Sequence, residues 1–403
     1  MAIQHSLTPY LPRLGLEAMK RLQNKAFALS NDAAALAGLL SPTVQKVLTG
    51  HMEVINSYYS NLIEGHHTEP SEVRAAQRGD YSSDPAKRNL QQESLAHVNA
   101  QRFLWNHGDE HPYQQPDTLQ KIHEITFKDL PAEMLVVRGG SKEIQIIPGQ
   151  FRSSDVEVGK HLAPEHGEIK GYLNAFSEAY DLRRHGGADK ILAVMAAHHR
   201  LVWIHPFIDG NGRVARLHTD LGLRQAGLKS VGIWCLSRGL AKRVDEYKGA
   251  LQDADSDRRG DTDGRGARSE AALITFIEFM LDTAIDQVKY IGELLKPNQM
   301  RRRIAAYVQY RNSGLAAREL PPLREEAIPV LQHAFVLGEL ERSEMTQLTG
   351  LQLSSARKLF QQLKEEGLLT ETSHKSPLYW AIPEHAEPWY FPDLSSPAAK
   401  LLP

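Results

Sequence analysis

Cysteine is almost absent: Cys235 is the single one in 403 residues. That excludes an internal disulfide and a Cys-rich zinc site, and it fits a reducing compartment. Cys235 lies in the apolar run from Val231 to Leu236, which reads as a packed core thiol rather than a nucleophile. An excess of one charge sign is also missing. Lys and Arg total 47 against 49 for Asp and Glu, so contact with DNA or a membrane surface would need a local patch. No apolar run approaches the ~20 residues of a membrane span. Met1 to Leu16 lacks the continuous apolar stretch of a signal peptide. The expected location is therefore the cytoplasm, with no membrane partner. Hydrophobic content of 41% and charged content of 24% suit a globular protein. The length suggests two or three domains, and there is no internal repeat.

What the chain does have is helix pattern. Leu14 to Leu39 carries Ala and Leu at helical spacing. Ser41-Pro42 is a helix start, with a capping residue before proline, and Gly65 supplies the stop after Glu64. The polar stretch Glu69 to Gln92 breaks the pattern. Further helices are predicted at Gln91–Trp105, Leu119–Phe127, Pro164–Arg184, Asp189–Trp203, Arg213–Gln225 and Glu270–Leu295. Ile144–Ile147 and Val156–Val158, around Pro148-Gly149, read as a β-hairpin. Asp253–Ser269 is an exposed loop by composition. Lys296-Pro297-Asn298 reads as a linker. Beyond it, Ser343–Thr349, Gly350 and Ser354–Glu366 have helix-turn-helix spacing, and Gly367–Leu369 with Leu378–Trp380 could form a wing. The tail from Glu384 is Pro-rich.

The segment His205-Pro206-Phe207-Ile208-Asp209-Gly210-Asn211-Gly212-Arg213-Val214-Ala215-Arg216 carries the chemistry. Gly210 and Gly212 allow unusual backbone angles and a close ligand, and Asn211 adds an amide donor. A helix starting near Arg213 offers free N–H groups and a dipole, which together make an anion site. Arg213 and Arg216 lie near one another on that helix and suit a polyphosphate. Asp209 is a hard oxygen ligand of the kind magnesium takes together with substrate phosphates. His205, just before the turn, can accept a proton from an attacking hydroxyl. Together these parts suit transfer of a phosphate-containing group.

Other patterns fail on inspection. Gly210, Gly212 and Ala215 fit a dinucleotide pattern, but no buried strand precedes them. Gly222 to Ser230 resembles a phosphate-binding loop with Leu228 where lysine is required. Asp253, Asp255 and Asp257 suggest a calcium loop until Arg258 and Gly264 replace the needed Gly and Glu. His198 and His199 are adjacent and cannot face one metal from a helix; they read as a packing pair.

The segment His205 to Arg216 resembles the Fic family signature H-P-F-x-D/E-G-N-G-R-x-x-R at every specified position. Pro148-Gly149-Gln150-Phe151-Arg152 looks like the family's flap, and Ser60-Asn61-Leu62-Ile63-Glu64-Gly65 resembles its inhibitory pattern S/T-x-x-x-E-G/N. The resemblance implies a mainly α fold: a Fic helical bundle with a small β-hairpin flap, plus here a C-terminal winged helix-turn-helix domain. The expected boundaries are 1–105 for a helical region with the inhibitory motif, 106–295 for the catalytic core, 296–385 for the winged helix and 386–403 for an irregular tail. It implies ATP as co-substrate and Mg2+ as cofactor. His205 would be the general base and Asp209 the magnesium ligand. Asn211 and the backbone of Gly210 and Gly212 would take the α-phosphate, Arg213 the β-phosphate and Arg216 the γ-phosphate. Ser60 and Glu64 would be regulatory, with Glu64 paired to Arg216. An acidic residue in the last turn of a helix is locally unfavourable, and an arginine partner would offset that. Lys248 and Asp255 stand where the family often has adenine-contacting Tyr and Asn, with Tyr247 as a possible substitute.

The activity so implied is transfer of AMP to a Ser, Thr or Tyr hydroxyl of a target protein, autoinhibited by Glu64. An enzyme that removes AMP is the alternative within the same site. A different class is a nucleotide-sensing DNA-binding regulator. Its recognition helix would carry Arg357, Lys358 and Lys364 but also Glu365 and Glu366, so no strong phosphate footprint is present. A protein-interaction or homodimer role for that unit stands at parity with DNA binding.

Overall fold

The computed structural model describes residues 6–13, 15–139, 142–158, 161–313 and 320–394. The chain is mainly α-helical, as its periodicity predicts. It forms two compact units, 1–34 with 56–288 and 35–55 with 289–403. No helix among the described residues is long and apolar enough to cross a membrane.

The first helices follow their sequence signals. In α1 (Leu16–Gly38), Leu22, Ala26, Leu29, Ala33 and Leu36 are buried at helical spacing. In α2 (Pro42–Ile63), the Ser41 hydroxyl accepts from Val44 N–H at 3.3 Å. Gly65, with φ +88°, closes α2: its N–H bonds Leu62 O and the N–H of His66 bonds Asn61 O, each at 3.0 Å. This paired closure fixes the directions of both Glu64 and His66. The stretch expected to break the pattern forms α3 (Pro70–Gln77), because Glu69 and Glu72 exchange bonds with each other's backbone as a capping box. Asp84 and Pro85 start α4 (Pro85–His107) earlier than expected, and α5 is Pro116–Phe127.

Four short strands follow: β1 (Val136–Gly139), β2 (Lys142–Gln145), β3 (Glu157–Val158) and β4 (His161–Leu162). Here the strand pairing differs from expectation. β1 pairs with β2 and β3 with β4, both antiparallel, so Ile144–Ile147 and Val156–Val158 do not pair with each other. Pro148-Gly149 does turn, with Gln150 N–H bonding Ile147 O at 3.0 Å, but the turn closes no strand pair and is docked on α5. Gly149 N–H donates to His123 Nδ1 and Gly149 O accepts from Gln120 Nε2, each at 2.9 Å.

Next come α6 (Ile169–Ala179), α7 (Ala188–Ile204), α8 (Asn211–Gln225), α9 (Leu236–Lys242), α10 (Val244–Ala254) and α11 (Glu270–Leu295). Ile191 through Leu201 of α7 are all buried, so α7 is a core helix. It packs on α6 and α8, and α8 packs in turn on α4 and α5.

In the second unit, Lys296 is the one residue between α11 and α12 (Pro297–Asn312). Proline at the first position starts the new helix where a linker was expected. Then come α13 (Ala327–Leu337), β5 (Glu339–Leu340), α14 (Met345–Thr349), α15 (Leu353–Glu365), β6 (Leu369–Thr370), β7 (Leu378–Trp380) and α16 (Glu387–Tyr390). The strands form one antiparallel sheet in the order β5-β7-β6. The tail, expected to be irregular, carries α16 and buries Tyr390, Phe391 and Leu394; residues 395–403 lie outside the described residues. Residues 35–55 belong to this packing. The His51 ring stacks on Phe391 at 5.7 Å, and a Cβ on Gly338 would meet Ser41 and Thr43.

Candidate active site

The loop between α7 and α8 is built under tension. His205 ends α7 with φ +49° and ψ +60°, a left-handed conformation costing a side-chain-bearing residue ~1–2 kcal/mol. Such angles persist only where the surroundings enforce them. Arg152 does so. Its Nε donates to His205 O at 2.8 Å, its backbone N–H donates to Pro206 O at 2.9 Å, and its guanidinium also reaches Ser154 O and Pro164 O. Arg152 is buried. Arg152→Ala would leave several of these carbonyls unpaired at ~1–3 kcal/mol each. We expect a lower urea midpoint together with slower chemistry; unchanged stability would show the staple to be dispensable.

Beyond His205 the turn is closed by Asn211. Its Oδ1 accepts from Phe207 N–H at 3.0 Å and its Nδ2 donates to Phe207 O at 2.9 Å. Phe207 stacks on His123 at 4.1 Å. Gly210 has φ +76°, and a Cβ there would sit 2.6 Å from Phe127 Cζ, so both the angle and the space require glycine. α8 starts at Asn211, slightly before the position the sequence suggests. Its first N–H groups face the loop as an anion site.

Arg213 and Arg216 of α8 are buried and each meets a carboxylate. Arg216 donates from Nε to Ser60 Oγ at 2.9 Å, and from Nη2 to Ser60 O at 3.0 Å and Glu64 Oε1 at 2.6 Å. A Cβ on Gly212 would collide with Glu64 Oε1, so this glycine is what lets Glu64 approach. Burial alone would raise the Glu64 pKa, but the charges of Arg216, Arg213 and Lys248 bring it below the ordinary carboxylate value. Arg213 donates from Nη1 to Glu93 Oε1, lies 3.4 Å from Asp209 Oδ2 through Nη2, and stands over the Phe127 ring at 5.0 Å. Glu93 Oε2 in turn meets His66 Nδ1 at 2.6 Å.

His205 is partly exposed. Burial, with the nearby charges of His161 and Arg152, pushes its pKa down to about 4, so it is a neutral base at ordinary pH. Its Nδ1 is buried without a hydrogen bond. Asp209 is half exposed at the tip of the turn. Among the described residues no group of three or more His, Cys, Asp or Glu could hold a metal. A lone exposed carboxylate beside an anion site nevertheless fits magnesium, which takes one or two carboxylates plus phosphate oxygens.

Other singled-out residues are structural. His198 is buried between Thr219 Oγ1 at 2.8 Å and the Tyr247 hydroxyl at 2.7 Å. His199 lies 3.1 Å from Asp255 Oδ1. Tyr247, the possible adenine contact, is thus buried in the core, and Asp255 is engaged, while Lys248 is exposed. Cys235 is a core thiol bonded to Asn56 Oδ1 at 3.1 Å, its pKa pushed up by burial to about 12.

Glu93, His66, His123 and the stapling role of Arg152 were not foreseen in the sequence. Glu93 carried a readable signal. It shares the apolar face of α4 with Ala96 and Ala100, and an acidic residue on a buried face needs a cation.

This arrangement defines a helical domain with an anion-binding loop at a helix N-terminus, walled by buried arginines. Residues 113–223 match the Fic/DOC family. A protein adenylyltransferase Fic of Drosophila grimshawi is 34% identical over 119 residues, covering 30% of this chain and 24% of that protein. The Drosophila virilis protein of the same name is 27% identical over 222 residues, covering 55% and 41%. The chain therefore spans less than half the length of these curated relatives. In fold, it is similar to a Fic family protein from Desulfovibrio desulfuricans G20 over 92% of this chain and 98% of that one, with a TM-score of 0.53 at 18% identity. A Fic domain containing signaling protein from Bacteroides thetaiotaomicron VPI-5482 matches 67% of this chain and 97% of its own, with a TM-score of 0.51 at 16% identity.

Proposed function

We propose that this chain is a protein adenylyltransferase, moving AMP from ATP to a Ser, Thr or Tyr hydroxyl of a target protein, and that Glu64 holds it back. The observation that carries the reading is the pairing of a phosphate-transfer loop with an arginine already held by a carboxylate. The target hydroxyl oxygen attacks the α-phosphorus, the bond from the α-phosphorus to the bridging oxygen breaks, and pyrophosphate leaves. The hydroxyl proton passes to His205, whose Nε2 is free for it while Nδ1 is buried. The N–H groups at the start of α8 hold the α-phosphate, Arg213 the β-phosphate and Arg216 the γ-phosphate. Asn211 keeps the loop in shape. Asp209 would hold magnesium, which supplies charge neutralisation on the phosphates. The exposed strand pairs β1–β2 and β3–β4 offer edges to an extended target segment.

The likeness to proteins named adenylyltransferases supports this reading, as does the neutral state of His205. A second reading, removal of AMP, is favoured by one feature: Glu64 is ionised and its side chain is 35% exposed, so it can orient a water. Incubation with ATP labelled in its α-phosphate tests both, as label gained or label lost on protein. Absence of both sinks the enzyme assignment.

In the second unit, α14, the turn at Gly350, α15 and the three-stranded sheet support a winged-helix reading. Lys364 of α15 is bound by Glu371 at 3.2 Å, which weakens a phosphate-binding face and favours target choice or self-association over DNA. A chain ending at Leu295 would leave residues 35–55 without their partners. We expect such a truncation to lower the thermal midpoint as well as target choice. Unchanged stability would argue that residues 35–55 do not depend on residues 296–403.

A further inference from the structure

Two carboxylates, Glu64 and Glu93, touch Arg216 and Arg213 of α8, and they touch them differently. A guanidinium presents its best anion-binding edge as a fork, two parallel N–H groups. On Arg216 the Nε and Nη2 edge is filled, by Ser60 Oγ on Nε and by Ser60 O and Glu64 Oε1 on Nη2. On Arg213 the carboxylate is on the other side. Glu93 takes Nη1, whereas Nε is buried without any acceptor and Nη2 has only the long 3.4 Å contact to Asp209.

We propose that Glu93 is a positioning residue that aims the Nε and Nη2 edge of Arg213 at the β-phosphate of the nucleotide. This rests on the adenylyltransferase reading above and deepens it.

The clamp has the parts such a role needs. Glu93 and Arg213 side chains are each 3% exposed, so the pair is shielded from water and holds one geometry. Phe127 covers a face of the guanidinium. Glu93 cannot swing away, because its second oxygen is held by His66 Nδ1 at 2.6 Å. His66 in turn is fixed by the closure of α2, through its N–H to Asn61 O. A buried N–H without an acceptor is costly, and a phosphate oxygen arriving at the start of α8 would supply one. Glu64 blocks its arginine's fork. Glu93 leaves its own arginine's fork open.

The test uses the full chain in a Glu64→Gly background, so that the nucleotide site is unobstructed. Affinities for ATP, ADP and AMP are measured by calorimetry for Arg213→Ala, Glu93→Ala and Glu93→Gln. Glu93→Ala should weaken ATP and ADP by about tenfold or more, the worth of a charge-assisted hydrogen bond. AMP, which lacks a β-phosphate, should change less than about twofold. Glu93→Gln keeps the shape and one acceptor oxygen, so it should show the same selective loss to a smaller degree. It carries the test if Glu93→Ala fails to fold. Arg213→Ala is the control for the underlying reading. If Arg213→Ala lowers ATP affinity selectively and the Glu93 variants leave the ATP-to-AMP ratio unchanged, the positioning role is overturned. If Arg213→Ala weakens all three nucleotides equally, the β-phosphate assignment itself is wrong.

Discussion

Replacing His205 by alanine should lower AMP transfer by about 10²–10⁴, the usual worth of a general base, and leave ATP affinity nearly unchanged. The separation follows from the geometry. In the proposed site the phosphate contacts would come from α8 and its N–H groups, whereas His205 sits before the turn at the end of α7. The alanine variant keeps the loop's staple, because Arg152 bonds the backbone carbonyl of residue 205 and not its ring. The pH profile adds an independent check. The His205 pKa lies near 4, below the ~6.5 of a free histidine. Its ring is therefore already neutral at pH 6, and activity should not fall between pH 8 and pH 6 on its account. The acid limb belongs near pH 4. Label transfer from α-labelled ATP gives the rate, and calorimetry gives the affinity. Undiminished labelling, or a limb near pH 6.5 that disappears in the variant, would remove His205 or its buried setting from the account.

Much of the fold was legible because helices announce themselves. Ser41-Pro42 and Gly65 bracket α2 by local chemistry alone, and the gapless apolar run from Ile191 to Ala197 marks a core helix. The turn signal at Pro148-Gly149 is legible and the turn forms; what the sequence does not show is that Gln120 and His123 hold Gly149 while the flanking stretches pair with other strands. Helix α3 was missed because its residues are polar, and its start depends on a reciprocal cap between Glu69 and Glu72. α9 and α10 follow one another so closely, at Lys242 and Val244, that no long period develops.

At the site, the residues within one short segment were readable, since His205 to Arg216 carry their chemistry in sequence order. The partners that complete them come from far along the chain. Glu93 lies 120 residues before Arg213. Nothing in its neighbourhood names the arginine it will meet, although its place on an apolar helix face demands some cation. Glu64 was reachable because its own position at a helix end is electrostatically awkward, and because Ser60 precedes it by one turn. The structure brings Ser60 and Glu64 to the same guanidinium.

Glu64→Gly should raise AMP transfer by on the order of a hundred-fold, the effect of realigning a reacting centre displaced by about an ångström. With Glu64 in place, Arg216 has its Nη2 committed to the carboxylate and to Ser60 O. The γ-phosphate then cannot take that edge. ATP that binds without it places its α-phosphate out of line with a hydroxyl near His205. The pair is not loose. Glu64 stays ionised, its pKa held down by Arg216 against the opposing effect of burial, so the block persists at ordinary pH. Glycine removes the carboxylate and leaves the loop, Arg213 and the α8 N–H groups intact. Arg216→Ala must not imitate the effect, since it removes the phosphate contact along with the block. Gly212 gives a second handle: a Cβ there would press on Glu64 Oε1, so Gly212→Ala should disturb the pairing as well. If removal of AMP is the main activity, Glu64→Gly should instead abolish it, because the water would lose its orienting carboxylate. The measurement is α-phosphate label on protein over time, for wild type, Glu64→Gly and Arg216→Ala. Equal gain and equal loss in wild type and Glu64→Gly would reduce the Glu64–Arg216 pair to a structural ion pair with no part in regulation.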